Sequence, residues 1–203
     1  MMKKSVLMMG LVCLLLVPVG CIFSPKDDPD PGPNGETGLP FPGTPDQLME
    51  NFKTIYETMD IEGYRNLLHP DYLTILKPST TQEFPEVGET LDYTEEVRIA
   101  TNMFSGAPGH DAQGGLKAPI SSIAFQEPEQ LTSWEPSPSD DPIPNAQSAL
   151  YNVLFEFNRA GDKTIQVTGQ IKFYITARDS LYQGAVKPYY QMIGQWDLTN
   201  DGE

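Results

Sequence analysis

The chain has only 2 cysteines and 2 histidines in 203 residues, and only 13 Lys and Arg against 28 Asp and Glu. That shortage of cations gives a formal net charge of −15. It argues against nucleic acid as a partner, because such binding rests on Lys and Arg neutralising phosphates. The carboxylates are scattered and lack calcium-loop spacing, so their excess reads as solubility rather than cation binding. No HExxH pair, Gly-rich phosphate loop or Ser-His-Asp arrangement around a recognisable nucleophile is present. A long apolar run is missing too. The longest N-terminal one, Val6 to Val19, has 14 residues, whereas a helix needs roughly 20 to cross a bilayer.

What the N-terminus does have is order. Met1-Met2-Lys3-Lys4 is basic, the 14-residue apolar core follows, and Gly20 and Cys21 close it. This is the build of a secretory signal peptide. Val17-Pro18-Val19-Gly20-Cys21 resembles the lipobox of bacterial lipoproteins, although Pro18 stands where a Leu-like residue is usual. The resemblance implies cleavage after residue 20 and a diacylglyceryl group on the sulfur of Cys21, with a further acyl chain often on its amine. Two or three chains suffice for stable anchoring, since each buried CH₂ contributes about 0.8 kcal/mol. Ile22 is not acidic, so the resemblance implies the outer membrane. Loss of residues 1–20 leaves Cys21 as the last cysteine and no thiol for catalysis, metal binding or an internal disulfide. It also leaves 11 basic against 28 acidic residues, a net charge of −17.

Residues 22–43 hold six prolines and four glycines. Such a segment has little apolar surface to bury and sustains neither a helix nor a central strand. It reads as a tether running from Cys21 to residue 43, about 70 Å long at full polyproline extension.

Residues 44–203 form one domain of ordinary size. Thr44, Pro45 and Gln47 mark a helix start, and Leu48, Phe52, Ile55, Tyr56 and Met59 make one helical face. Asp60 caps a second short helix carrying Tyr64, Leu67 and Leu68, which ends at His69-Pro70-Asp71. Residues 72–76 read as a strand, and 93–104 as a third helix with Thr94 as its cap and Val97, Ala100, Met103 and Phe104 on one side. Residues 105–119 and 135–147 read as loops. Between them, 120–125 and 130–134 read as short strands. Alternation then dominates: Tyr151, Val153, Phe155, Phe157; Ile165, Val167, Gly169, Ile171, Phe173, Ile175; Tyr190, Met192, Gly194, Trp196, Leu198. Period two over such lengths predicts long antiparallel strands with one buried face, joined by a turn at 158–163. Helices first and strands after predict an α+β domain, with Phe52, Tyr151, Phe173 and Trp196 in its core.

The order of these elements, with the helix around Leu48–Asp60, His69-Pro70-Asp71-Tyr72, the third helix and Gln195-Trp196-Asp197, resembles the nuclear-transport-factor-2-like superfamily, to which ketosteroid isomerase and scytalone dehydratase belong. The resemblance spans nearly all of residues 44–200. It implies a cone-shaped roll, a curved antiparallel sheet wrapped around N-terminal helices with a pocket at the open end. Members include enzymes, binding domains and dimeric adaptors, so a homodimer is allowed and function stays open.

His69 and Asp71 are the most enzyme-like pair, an imidazole with a carboxylate to orient it. A turn in which Pro70 stops the helix and Asp71 bonds to the backbone explains them better. Tyr56, Tyr72 and Asp92 are the hydroxyl and carboxyl groups that a ketosteroid-isomerase-like pocket would use, though none aligns with that enzyme's motif. Tyr56, Tyr190, Met192 and Trp196 are the candidate pocket wall. His110 with Asp111 is too few ligands for a metal, and no cofactor is implied. The expected function is an envelope lipoprotein whose domain binds a small apolar ligand or an envelope protein without catalysis. The alternative is a lyase or isomerase working by proton transfer in the cone.

Overall fold

The computed structural model describes residues 38–110, 114–126, 128–161 and 164–198. Cys21, the expected signal peptide and the tether up to residue 37 lie outside these, as do Asp111 and part of the 158–163 turn.

Helix α1 (Pro45–Thr58) starts as expected. Thr44 is extended, its Oγ1 accepts the Gln47 N–H at 3.1 Å, and Pro45 sits in the first turn, where no intrahelical acceptor is lost. Gln47 does not reach back to complete a capping box; its amide donates to Asn51 Oδ1 at 3.1 Å. Helix α2 (Ile61–Leu67) is capped by Asp60, which accepts the Gly63 N–H at 3.0 Å. It passes straight into β1 (Leu68–Ile75). Thus His69-Pro70-Asp71 is not a turn between helix and strand but part of the strand itself.

The polar stretch that follows holds a short helix the sequence reading did not anticipate, α3 (Pro78–Glu83), which buries no residue. After β2 (Thr90–Asp92) comes α4 (Tyr93–Phe104). Its cap is Asp92, not Thr94. Asp92 Oδ1 accepts the Glu95 N–H at 2.9 Å while Glu95 Oε2 accepts the Asp92 N–H at 3.1 Å. This reciprocal box satisfies two of the donors a helix start leaves open.

A small ribbon of β3 (Gly109–His110) and β4 (Leu116–Lys117) stands apart. Strand β5 (Ile120–Phe125) falls where expected, but the strand foreseen at 130–134 shrinks to β6 (Glu129–Gln130). There the Thr132 hydroxyl takes the Leu150 N–H at 2.9 Å, so a side chain replaces the backbone acceptor and the ladder breaks. The strands β7 (Glu135–Pro136), β8 (Gln147–Arg159), β9 (Ile165–Tyr182) and β10 (Ala185–Asp197) complete the chain.

The main sheet has eight strands, in the order β2-β1-β10-β9-β8-β5, with β6 and β7 also beside β8. Its pairs are antiparallel except β1 with β10, which run parallel. These two strands lie side by side but are far apart in sequence, so no hairpin forces them antiparallel. Helices α1, α2 and α4 bury their apolar sides against one face of this sheet. Phe52 lies at the centre, 5.6 Å from Phe125 and 5.5 Å from Phe173 between ring centroids, and Phe125 stacks on Phe155 at 4.2 Å. The architecture is the α+β one expected, N-terminal helices held in a curved sheet.

Two parts of the alternation depart from it. Ile165 and Val167 are exposed, because residues 165–168 at the far end of the β8–β9 hairpin are open to solvent on both faces. On β10 the register slips between Met192, opposite Ile175, and Gly194, opposite Tyr174. That bulge moves every later residue to the other face. Of the segment read as tether, residues 39–42 dock on the fold. Leu39 packs on the core, Pro40 O accepts from Asn51 Nδ2 at 2.7 Å, Phe41 stacks on Tyr182 at 4.1 Å, and Pro42 O accepts the Tyr190 N–H at 3.0 Å.

Candidate functional site

The interior of the cone holds a polar cluster. Glu96 projects from α4 into the core and is buried. The Tyr64 hydroxyl donates to Glu96 Oε1 at 2.7 Å, and the Thr74 hydroxyl donates to Oε2 at 2.9 Å. Tyr56 reaches the Tyr64 hydroxyl at 3.5 Å, and the Tyr72 hydroxyl lies 3.3 Å from Thr74 Oγ1. Burial raises the pKa of Tyr56 and Tyr72, and the Glu96 charge raises both further. Burial also raises Tyr64, with Tyr56, Tyr72 and Glu96 adding to the effect. The three hydroxyls therefore stay protonated at any ordinary pH and serve as neutral donors around a carboxylate.

Chemically this is a carboxylate that could take up or release a proton, but a substrate has little room there. The Tyr56 ring meets Phe155 at 5.2 Å, Phe104 at 5.4 Å and Tyr64 at 5.6 Å. Nearby, a cavity of about 10 Å³ between Leu39, Leu48, Asn51, Gly63 and Tyr189 has space for a single water.

Of the sequence candidates, Tyr56 and Tyr72 come together at this cluster. Glu96, which organises it, was missed. Its signal was its spacing: Glu96, Ala100 and Phe104 follow each other by four on one helix face, and all three are buried.

His69 and Asp71 lie elsewhere, on the bulged part of β1, where Leu68 pairs with Met192 and Leu73 with Gly194. Pro70, without an N–H, is suited to a bulge. The Asp71 N–H donates to His69 Nδ1 at 3.1 Å, and the Asp71 carboxylate is 3.7 Å from the same nitrogen with 84% of its side chain exposed. This pair is at the surface. Asp92 is engaged in the α4 cap, and His110 is exposed on β3. Among the described residues no group of three or more His, Cys, Asp or Glu could hold a metal.

The candidate pocket wall divides. Tyr56, Tyr190 and Met192 belong to the core between helices and sheet. Trp196 does not: beyond the β10 bulge it joins Ile143, Ala146 and Tyr174 on the outer face. That face carries a second polar group. Asp141 accepts the Tyr174 hydroxyl at 2.6 Å and pairs closely with Lys172. Burial alone would raise the Asp141 pKa, but hydrogen bonds from Lys172, Tyr174 and the Ile143 N–H hold it below the ordinary carboxylate value. Beside it an open groove of about 470 Å³ is lined by Thr132, Glu135, Pro138, Leu150, Lys172 and Leu198, among others. No sequence signal marked this groove, because its residues come from four separate segments.

Among the described residues no helix is long and apolar enough to cross a membrane. No family model and no curated protein matches the chain. Solved structures do. A candidate aromatic ring hydroxylase from Novosphingobium aromaticivorans matches with 12% identity over 77% of this chain and 87% of its own, at a TM-score of 0.47. An NTF2-like protein from Exiguobacterium matches with 10% identity over 76% and 99%, at 0.42. One from Cytophaga hutchinsonii matches with 16% identity over 75% and 93%, at 0.38. These are likenesses of overall form and say nothing of what this chain binds.

Proposed function

We propose that this protein is a lipid-anchored domain of a bacterial envelope, a tethered adaptor that binds a protein partner on the outer face of its sheet and catalyses nothing. The observation that carries the binding mode is the filling of the cone. Phe52, Tyr56, Tyr64, Phe125, Phe155 and Phe173 occupy its interior, which favours a protein partner over a small apolar ligand held inside. The open groove beside Thr132 and Leu150 offers mixed polar and apolar walls, the surface that suits a partner segment. The anchor rests on the lipobox-like Val17–Cys21, and the outer membrane on Ile22.

A photo-crosslinking residue at Leu150, in the full chain in its native membrane, tests the binding mode. A discrete protein adduct at Leu150, missing when the probe stands at Ile165, is the expected result. A probe at Leu150 that yields no adduct overturns this reading. The anchor is tested by Cys21→Ser, which should abolish lipid labelling and release the protein from the membrane fraction.

One observation favours a second reading, proton-transfer chemistry of lyase or isomerase type. Glu96, with both oxygens held by hydroxyls, would be its base, rather than His69 or Asp71. Turnover of an envelope metabolite that disappears in Glu96→Gln, with the fold intact, would establish it.

A further inference from the structure

The β9–β10 hairpin ends in an apolar tip. Leu181 and Val186 face each other across the two strands, and 57% and 68% of their surfaces are exposed. Gln183 and Gly184 turn the chain with φ of 52° and 75°, the positive-φ pair of a tight hairpin. The turn therefore holds the two apolar side chains rigidly at the extremity of the sheet. Tyr182, next to them, is stacked on Phe41.

Phe41 connects this tip to the N-terminal segment. The described chain begins at Gly38; Phe41 stacks on Tyr182 beside the tip, and the Pro42 carbonyl accepts from Tyr190 further along β10. Whatever holds residue 21 therefore pulls on this end of the domain. The other long hairpin, with Ile165 and Val167, is at the opposite end of the 18-residue β9, about 55 Å away at strand rise.

Charge at the tip also differs from that of the chain. Lys187 lies over the Tyr182 ring at 5.2 Å and Arg178 over Tyr189 at 5.1 Å. Residues 177–190 contain these two cations and one acid, Asp179, in a chain of net charge −15. An anionic lipid surface repels the acidic chain as a whole and repels this end less. Aromatic rings beside cations and exposed aliphatic side chains are the composition of a membrane interface.

We infer that the β9–β10 hairpin tip is a lipid-contacting foot, with Leu181 and Val186 seated in the headgroup region of the membrane that carries the anchor. Two aliphatic side chains bind a bilayer weakly alone. They act here because the anchor makes their contact intramolecular, at high effective concentration. The inference rests on the lipid anchor proposed above, and it fixes how the domain stands on the membrane.

The test uses the full lipidated chain in vesicles of phosphatidylethanolamine and phosphatidylglycerol, with a nitroxide on Leu181→Cys or, separately, on Ile165→Cys. The expected result is a several-fold lower collision rate of the Leu181 label with a water-soluble nickel complex, and a higher one with oxygen, relative to the Ile165 label. The Leu181→Asp/Val186→Asp variant, altered only at exposed positions, should remain with the vesicles yet become more accessible to protease at residues 183–184. A Leu181 label as open to nickel as the Ile165 label, in protein that floats with the vesicles, overturns the foot and leaves the anchor standing. Protein that does not float overturns the anchor and the foot with it. Equal protection of the Leu181 label in lipid-free Cys21→Ser protein points to a second copy or a partner and also overturns the lipid foot.

Discussion

The Tyr64 hydroxyl donates to Glu96 at 2.7 Å in the middle of the core, linking α2 to α4. The carboxylate is buried, so its cost of desolvation is offset only while its oxygens are paired. Tyr64→Phe removes the donor and leaves Oε1 without a partner. A loss of about 1.5–3 kcal/mol is expected, the range for hydrogen bonds to charged groups. Glu96→Gln keeps an acceptor at one position and should lose less. Urea unfolding midpoints of the two variants check this ranking, and equal midpoints would refute it.

Gly194 sits where β10 crosses from one face to the other. A Cβ built there would lie 2.2 Å from Ile143 Cδ1 and 2.7 Å from the Leu73 carbonyl. The Ile143 methyl can swing away, but the carbonyl belongs to the β1 ladder and cannot. Gly194→Ala should therefore destabilise by about 1–3 kcal/mol, the usual cost of overpacking. Pairing it with Ile143→Val should recover only part of that loss. Full recovery would show that the backbone contact is soft.

The helix stripe and strand alternation made the α+β order and the inner residues of β8 legible, because periodicity reports which side of an element is buried. It fails where a backbone irregularity changes the period. Within Tyr189–Trp196 only Gly194 hints at a bulge, and unbroken alternation places Trp196 on the face of Met192. The same limit applies to the site. Tyr56 and Tyr72 stand out as hydroxyls, but Glu96 follows another acid in the sequence and nothing local sets it apart as the buried one. The outer groove is assembled from segments far apart in sequence. Only topology brings them together.

Phe52 and Trp196 separate these two cases experimentally. Phe52 is fully buried and touches three other aromatic rings, so Phe52→Ala should cost on the order of 3–5 kcal/mol. Trp196 is half-buried against a small outer cluster, and Trp196→Ala should cost about 1–2 kcal/mol, in proportion to the area it covers. Thermal or urea unfolding of both variants decides the matter. Equal losses would put Trp196 back in the main core.

Alkaline pH should unfold the domain through its buried tyrosines. Tyr151 is pushed up to about 12 from its ordinary 10.0, chiefly by burial, with the neighbouring Trp134 indole opposing and the Asp46 charge adding. Tyr56, Tyr64, Tyr72, Tyr174 and Tyr189 are also raised, with burial the largest cause in each. Between the ordinary value and the folded one, the unfolded chain gives up these protons and the folded chain keeps them. Unfolded molecules then bind fewer protons, so stability falls as pH rises. The effect is absent well below pH 10 and grows through the window up to about 12. Tyrosinate absorbance should therefore appear in two phases, exposed rings first and the buried group together with loss of ellipticity. Tyr64→Phe, already less stable, should move the second phase to lower pH. A single absorbance phase centred near 10, with the circular dichroism unchanged, would mean that these hydroxyls are open to water.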